Sequence, residues 1–305
     1  MKRIAVAVRP FYDDAEEFAA VTPSEPRSQP QSFPYAAALR RELIERSRIY
    51  AGRHGLPCRE SYGREPTVCY LPSEDEARHG NFLLQAYRAI QKDDSWRRRL
   101  EKSHTSAKRS LPREDRRWRE LDSCISSDAL LMNVFCYPGT IREKCVLDML
   151  GVESGAVPQF GVKARVPLAN GRADRTEVDM KLGAMLVEAK LTESDFQTKA
   201  AFVVEGYRDF GEVFERGDLK QGDGRYFSYQ LIRNVLAAQA NQCCFCVMID
   251  ARRPDLQEAW FGVMRAIRLH DLRMRCKMIT WQELAGVMPP RLRQFLDEKY
   301  GIIAG

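Results

Sequence analysis

The sequence predicts an α/β protein, a mixed central sheet flanked by helices and preceded by a mostly helical N-terminal extension. Three observations predict it. Short segments in the second part of the chain alternate apolar and polar residues, as in 176–182 and 185–190. The run Gln242 to Ala251 is almost continuously apolar, as a strand buried on both faces requires. Between these lie stretches with apolar residues spaced three and four apart, the period of a helix with one buried face.

The 305 residues suffice for one large domain or two ordinary ones, and at 44% hydrophobic and 30% charged they exclude a disordered chain. No apolar run approaches the roughly 18 residues that span a bilayer, so no membrane association is expected. Nine cysteines, with Cys243, Cys244 and Cys246 crowded into one strand-like run, fit a reducing, cytoplasmic setting. Net charge is +6, and all of the excess falls in residues 1–120, which hold 24 basic and 18 acidic side chains. We therefore divide the chain into a basic N-terminal region, 1–120, and an α/β domain, 121–305.

Met1 to Val8 has an apolar segment too short for a secretory signal and reads as a first strand. Phe11 to Pro34, rich in proline and without period, reads as a loop. Tyr35 to Ala51 is helical by the spacing of Leu39, Leu43, Ile44 and Ile49. His54, Cys58, Cys69 and His79 follow in a loop-rich segment. They are zinc-ligand types, but their spacing matches no short paired pattern, and they read as incidental thiols and surface histidines. Asn81 to Leu100 is a second helix.

From Arg97 to Arg119 ten basic residues face three acidic ones. Such a stretch attracts polyanions, and Arg97, Arg98, Arg99, Lys102, Lys108 and Arg109 are its candidate phosphate contacts.

Ser126, Ser127 or Asp128 caps a helix through Phe135, and Thr140 caps another from Ile141 to Leu150. Gln159 to Leu168 is the first core strand. Tyr226 to Ala240 is the strongest helix, with Phe227, Leu231, Val235 and Ala238 as its stripe and Gln230 and Arg233 away from it; Arg233 joins the candidate nucleic-acid contacts. Helix Pro254 to Leu269, strand Arg273 to Thr280 and helices from Trp281 and Pro290 complete the chain.

The chemistry lies in the hairpin. Along 176–182 Asp179 alternates with apolar neighbours, and along 185–190 Glu188 and Lys190 share one face. Pairing brings Asp179 to that face if it lies opposite Leu186, with a loop Leu182-Gly183, or opposite Glu188, with a loop from Leu182 to Met185. Either register gathers two carboxylates and an amine. Two such carboxylates repel unless a cation lies between them, and hard oxygen ligands suit Mg2+, with Mn2+ as a substitute. A lysine beside the metal orients water, which is the equipment of metal-assisted phosphodiester hydrolysis.

Asp179, eight residues, then Glu188-Ala189-Lys190 on an apolar strand resembles the signature of the PD-(D/E)XK nuclease superfamily, with Val178 where the name has proline. The resemblance covers about 185 residues and implies a restriction-endonuclease-like core in the order α-β-β-β-α-β. It implies that Asp179 and Glu188 hold the metal, that Lys190 positions the attacking water, and that Glu143, on the preceding helix, adds an acidic ligand. It implies a supporting role for Gln230 and a DNA substrate, with RNA open, and it makes a homodimer an expected arrangement for cutting two strands. Two other readings stay open here: a catalytically silent nucleic-acid-binding subunit of a larger complex, and a regulatory protein with zinc at 54–79.

Overall fold

Helix α1 (Pro34–His54) begins the portion that the structure, a computed structural model, describes: residues 34–61, 66–103 and 119–305. The strand expected at Met1 to Val8 and the loop that follows it lie outside the described residues. After α1 comes a two-stranded antiparallel ribbon, β1 (Cys58–Glu60) and β2 (Val68–Tyr70), where the sequence suggested only loop. The expected helix 81–100 is two helices, α2 (Leu84–Lys92) and α3 (Asp94–Leu100). Asp93 is the reason: its side chain accepts from the Ser95 N–H (2.8 Å) and the Trp96 N–H (3.1 Å), capping α3 where α2 stops.

Helix α4 (Ser127–Phe135) starts as expected, with Ser126 Oγ accepting from the Ala129 N–H. The second expected helix is shorter. Thr140–Arg142 is a single 3-10 turn, Glu143 is extended, and α5 spans Lys144–Leu150.

A five-stranded mixed sheet forms the centre. Three strands meander antiparallel: β3 (Pro158–Lys163), β6 (Glu177–Leu182) and β7 (Met185–Ala189), while β4 (Val166–Pro167) and β5 (Ala173–Asp174) make a small side ribbon between β3 and β6. The segment beyond β7 contributes β8 (Lys199–Ala200), α6 (Ala201–Val204), α7 (Phe210–Val213), β9 (Gln221–Gly222) and β10 (Arg225–Tyr226). Helix α8 (Tyr229–Ala240) crosses to β11 (Cys244–Ile249), which lies parallel to β7; α9 (Pro254–Ala266) and α10 (His270–Met274) lead to β12 (Cys276–Thr280), parallel to β11. The sheet order is β12-β11-β7-β6-β3, closed by α11 (Trp281–Gly286) and α12 (Pro290–Tyr300). Helix α8 starts later than its sequence stripe suggests, because Ser228 takes a left-handed φ of 57° and leaves Phe227 exposed.

Two apolar layers sandwich this sheet. One joins Leu231 and Val235 of α8 to Leu186, Phe245 and Val247. The other joins Leu130 and Val134 of α4 to Met180, Leu182, Val187 and Met248, with Leu39 and Leu43 of α1 and Leu292 of α12. The border drawn at residue 120 therefore falls inside one compact unit: α1 packs along α12, and the Cys124 N–H donates to Val68 O at 2.9 Å. No helix among the described residues is long and apolar enough to cross a membrane.

The hairpin adopts the second expected register. Met180 pairs with Val187 and Leu182 with Met185, which sets Asp179 against Glu188. Because Leu182 and Met185 pair, the loop tightens to Gly183-Ala184, with Gly183 at φ 56°. Strand β6 departs from simple alternation at one point. Val178 packs in the α8 layer, whereas Met180 and Leu182 pack in the other. The switch occurs at Asp179, across from Gly161, which lies between the Phe160–Met180 and Val162–Val178 pairs with φ 65°.

Candidate active site

Strand β7 is buried along its whole length, and it carries Glu188 into the layer under α8. Glu188 is 2% exposed. A carboxylate so placed must be satisfied internally. Its Oε1 accepts from Lys190 Nζ (2.7 Å) and Gln230 Nε2 (2.9 Å), and its Oε2 accepts from Asn234 Nδ2 (2.9 Å). Gln230 and Asn234 are one turn apart on α8, so both reach the same acid. Gln230 Oε1 is buried and has no partner among the described residues.

Asp179 remains partly exposed, and its Oδ2 accepts from the Ala189 N–H at 2.8 Å, tying β6 to β7 by side chain. Burial, with the neighbouring charges of Glu188 and Asp128, pushes its carboxyl well above the ordinary range, against the pull of Lys190 and the Ala189 N–H. Lys190 is buried too. Desolvation would depress its ammonium, but Glu188, Glu193 and Asp179 outweigh that and raise it, so Lys190 is charged at neutral pH.

The segment after Lys190 is pinned from below. Arg253, fully buried, donates to the carbonyls of Leu191 (3.1 Å), Glu193 (2.8 Å) and Ser194 (3.2 Å) and pairs with Asp255. Trp281 Nε1 donates to Lys190 O at 3.0 Å.

Asp179, Glu188, Lys190 and Gln230 thus converge. Glu143 does not join them by any contact seen here: it is exposed at the start of α5, and the acid whose charge bears on Asp179 is Asp128 of α4. Asp128 is 3% exposed and accepts from Arg99 Nη2 (2.9 Å) and Lys102 Nζ (2.7 Å). Two expected phosphate contacts are therefore engaged internally. Arg99 also pairs with Glu177, and Lys102 with Glu120. Arg97 and Arg98 are exposed, the former paired with Asp94; Lys108 and Arg109 lie outside the described residues.

Arg233 is 1% exposed and cannot meet a phosphate. It donates to the carbonyls of Thr176 (2.7 Å) and Glu177 (2.9 Å) and to Asn234 Oδ1 (2.6 Å), locking α8 onto β6. The putting together of zinc-ligand types at 54–79 fails as well: Cys58 and His54 are exposed, His79 is buried against Asp122 at 3.1 Å, and no group of three or more metal-ligating side chains clusters among the described residues.

Asp128 and Asn234 were not singled out as site residues from sequence. Asp128 looked like a helix-start residue. Asn234 did carry a signal, its four-residue spacing from Gln230 on one helix.

A protein-family model described as "Restriction Endonuclease associating with ARP" matches residues 57–301. No curated protein and no solved structure matches the chain.

Proposed function

Because the chain belongs to the family of restriction endonucleases associating with ARP, we propose that it is a metal-dependent endonuclease that hydrolyses DNA phosphodiester bonds at the β6–β7 hairpin. The single observation carrying this is the meeting of Asp179, Glu188 and Lys190 across that hairpin, with Gln230 and Asn234 fixing Glu188. The order of helices and strands from α4 to β12 supports a restriction-endonuclease-like topology.

The donor set fits Mg2+ or Mn2+. Asp179 and Glu188 offer hard oxygens on facing strands, Asp179 is held above its ordinary range by burial and then by negative neighbours that a dication would offset, and Gln230 Oε1 is an unpartnered acceptor beside Glu188. When bound, the ion polarises the phosphoryl oxygen and lowers the pKa of its water. The protein's own groups do the rest. Asp179 and Glu188 would hold the ion, and Lys190 would orient the nucleophile by donation and offset the charge that gathers on the phosphate. Glu193, whose Oε2 accepts from the Leu191 N–H and whose charge reaches Lys190, steadies that ammonium.

Purified protein is expected to cut DNA with Mg2+ or Mn2+, to stop on chelation, and to lose about 10²–10³-fold or more in rate as Asp179→Asn. Asn keeps an acceptor for the Ala189 N–H, so the fold survives. Cutting by that variant at the parental rate refutes the assignment.

The competing reading, a catalytically silent nucleic-acid-binding subunit, draws on the neutralisation of Asp128 by Arg99 and Lys102. Salt-sensitive binding without metal-dependent cleavage would favour it. A cytoplasmic location, a homodimer that cuts both strands, and an association with ARP, taken from the family's description, complete the proposal.

A further inference from the structure

Beyond the turn of the β6–β7 hairpin the chain forms a cleft of about 460 Å³ that the assignments above do not use. Its cationic lining is Lys163 and Arg165, from the end of β3 and the link to β4, and Lys181 of β6; Asn241 and Gln242, at the close of α8, face them, and Leu186 lies at its floor. No carboxylate lines it. Lys163 and Arg165 are exposed, Lys181 is half-buried, and none of the three forms an ion pair among the described residues. Elsewhere in the protein the cations near the hairpin are matched: Arg99 with Asp128 and Glu177, Lys102 with Asp128 and Glu120, Lys190 with Glu188. Three unmatched cations sharing one concavity call for an anion from outside.

Position says which anion. Lys181 is two residues from Asp179 on the same strand, and its partner Leu186 is two residues from Glu188, so the cleft is the next station along the sheet from the acidic pair. Two strand residues span roughly 6.6 Å. A nucleic-acid strand carries a charge at every nucleotide, so a strand held at Asp179 also brings a neighbouring phosphate within reach of Lys181. Gln242 takes a left-handed φ of 48° as the residue that closes α8, with the Cys243 N–H donating to Ala238 O at 3.0 Å, which turns the chain into the cleft wall.

We infer that the Lys163–Arg165–Lys181 cleft binds a backbone phosphate of the cleaved DNA strand, next to the scissile one. This rests on the endonuclease reading for its choice of DNA, but not on hydrolysis taking place. Asn241 and Gln242 supply amide groups around the phosphate oxygens, and the contact carries no base preference.

The test is titration of full-length protein with a fluorescent DNA duplex, divalent ions chelated, over roughly 50–200 mM salt. The triple variant Lys163→Gln, Arg165→Gln, Lys181→Gln is expected to bind at least about tenfold more weakly on every sequence, with a salt slope shallower by about 0.9 per contact removed. Its melting temperature is expected to stay parental, and the charge-keeping triple Lys163→Arg, Arg165→Lys, Lys181→Arg is expected to restore binding.

Parental affinity and slope in the Gln triple would overturn the inference. So would an equal loss from Arg97→Gln with Arg98→Gln, which would make the effect one of general charge, or a loss confined to an RNA duplex. Protection of the cleft by inorganic phosphate with DNA affinity unchanged in the triple would also overturn it, assigning the cleft to a free anion. A parent that binds and loses affinity in the triple yet never cuts would sink the hydrolytic reading and leave this one standing.

Discussion

Among the described residues two lysines are buried, and their surroundings act oppositely on the same side chain. Lys190, 5% exposed, faces Glu188 at 2.7 Å with Glu193 and Asp179 nearby, and its ammonium is held above the usual lysine range. Lys299, fully buried on α12, has no acid beside it. Its Nζ donates to Asn81 O (2.9 Å) and Asn81 Oδ1 and sits among the rings of Tyr70, Tyr300, Phe295 and Tyr50, 4.5–6.0 Å from their centroids. Burial pushes it well below the lysine range, only slightly countered by Cys124. Depth alone does not set the direction: carboxylates around one amine raise it, and without them burial lowers the other, whose Nζ donates to the Asn81 oxygens in a packed core.

The contrast can be broken by substituting each with methionine. Lys190→Met leaves Glu188 deep and short of its cation, so a loss of about 3–5 kcal/mol in urea unfolding is expected. At pH 10 Lys299→Met is expected to lie within about 1.5 kcal/mol of the parent, the lost donors to Asn81 being offset by apolar contact with the rings. Equal losses at the two sites would show that the environments do not differ as described.

pH sharpens the same contrast. An amine lowered in the folded state is neutral there while still protonated unfolded, at any pH between its folded value and about 10.4. Stability is therefore lost as pH falls through that window, by up to about 1.4 kcal/mol per unit. Relative to the parent, Lys299→Met should gain stability as pH falls below about 10, until the folded amine itself takes up a proton. A difference independent of pH would mean that Lys299 is charged in the fold.

The smallest effect is expected at Asp179, whose carboxyl is raised. Below about pH 3.9 both states hold the proton and nothing is lost; as pH rises toward the folded value the ionised form becomes a cost. Asp179→Asn should thus stabilise the protein at neutral pH by about 1 kcal/mol, the usual opposition of activity and stability, and give no gain in acid. Equal gain at pH 3 and pH 8 would place the cause elsewhere.

Much of this arrangement could be read from the residues. Alternation along 176–182 and 185–190 gave the hairpin, and the parity of positions 179 and 188 limited it to two registers, of which one occurs. The apolar run 242–251 marked the buried strand β11. What escaped was decided by long-range partners. Arg233 has the look of a surface charge, and the carbonyls of Thr176 and Glu177, some 56 residues away, with Asn234 Oδ1, make its burial tolerable. Asp128 sits where a capping residue belongs, and its importance comes from Arg99 and Lys102, which fold back to it. Val178 fits the alternation in sequence yet changes layers, because the backbone opposite bends at Gly161.

That glycine has a wider consequence. A Cβ at position 161 would run into the Arg99 guanidinium and approach the Glu177 carboxylate to 3.0 Å. The missing side chain is thus a window in the outermost strand, through which a cation from the N-terminal half reaches an acid behind the sheet. Any other residue there would shutter it and press on the Arg99–Glu177 pair that ties α3 to that rim.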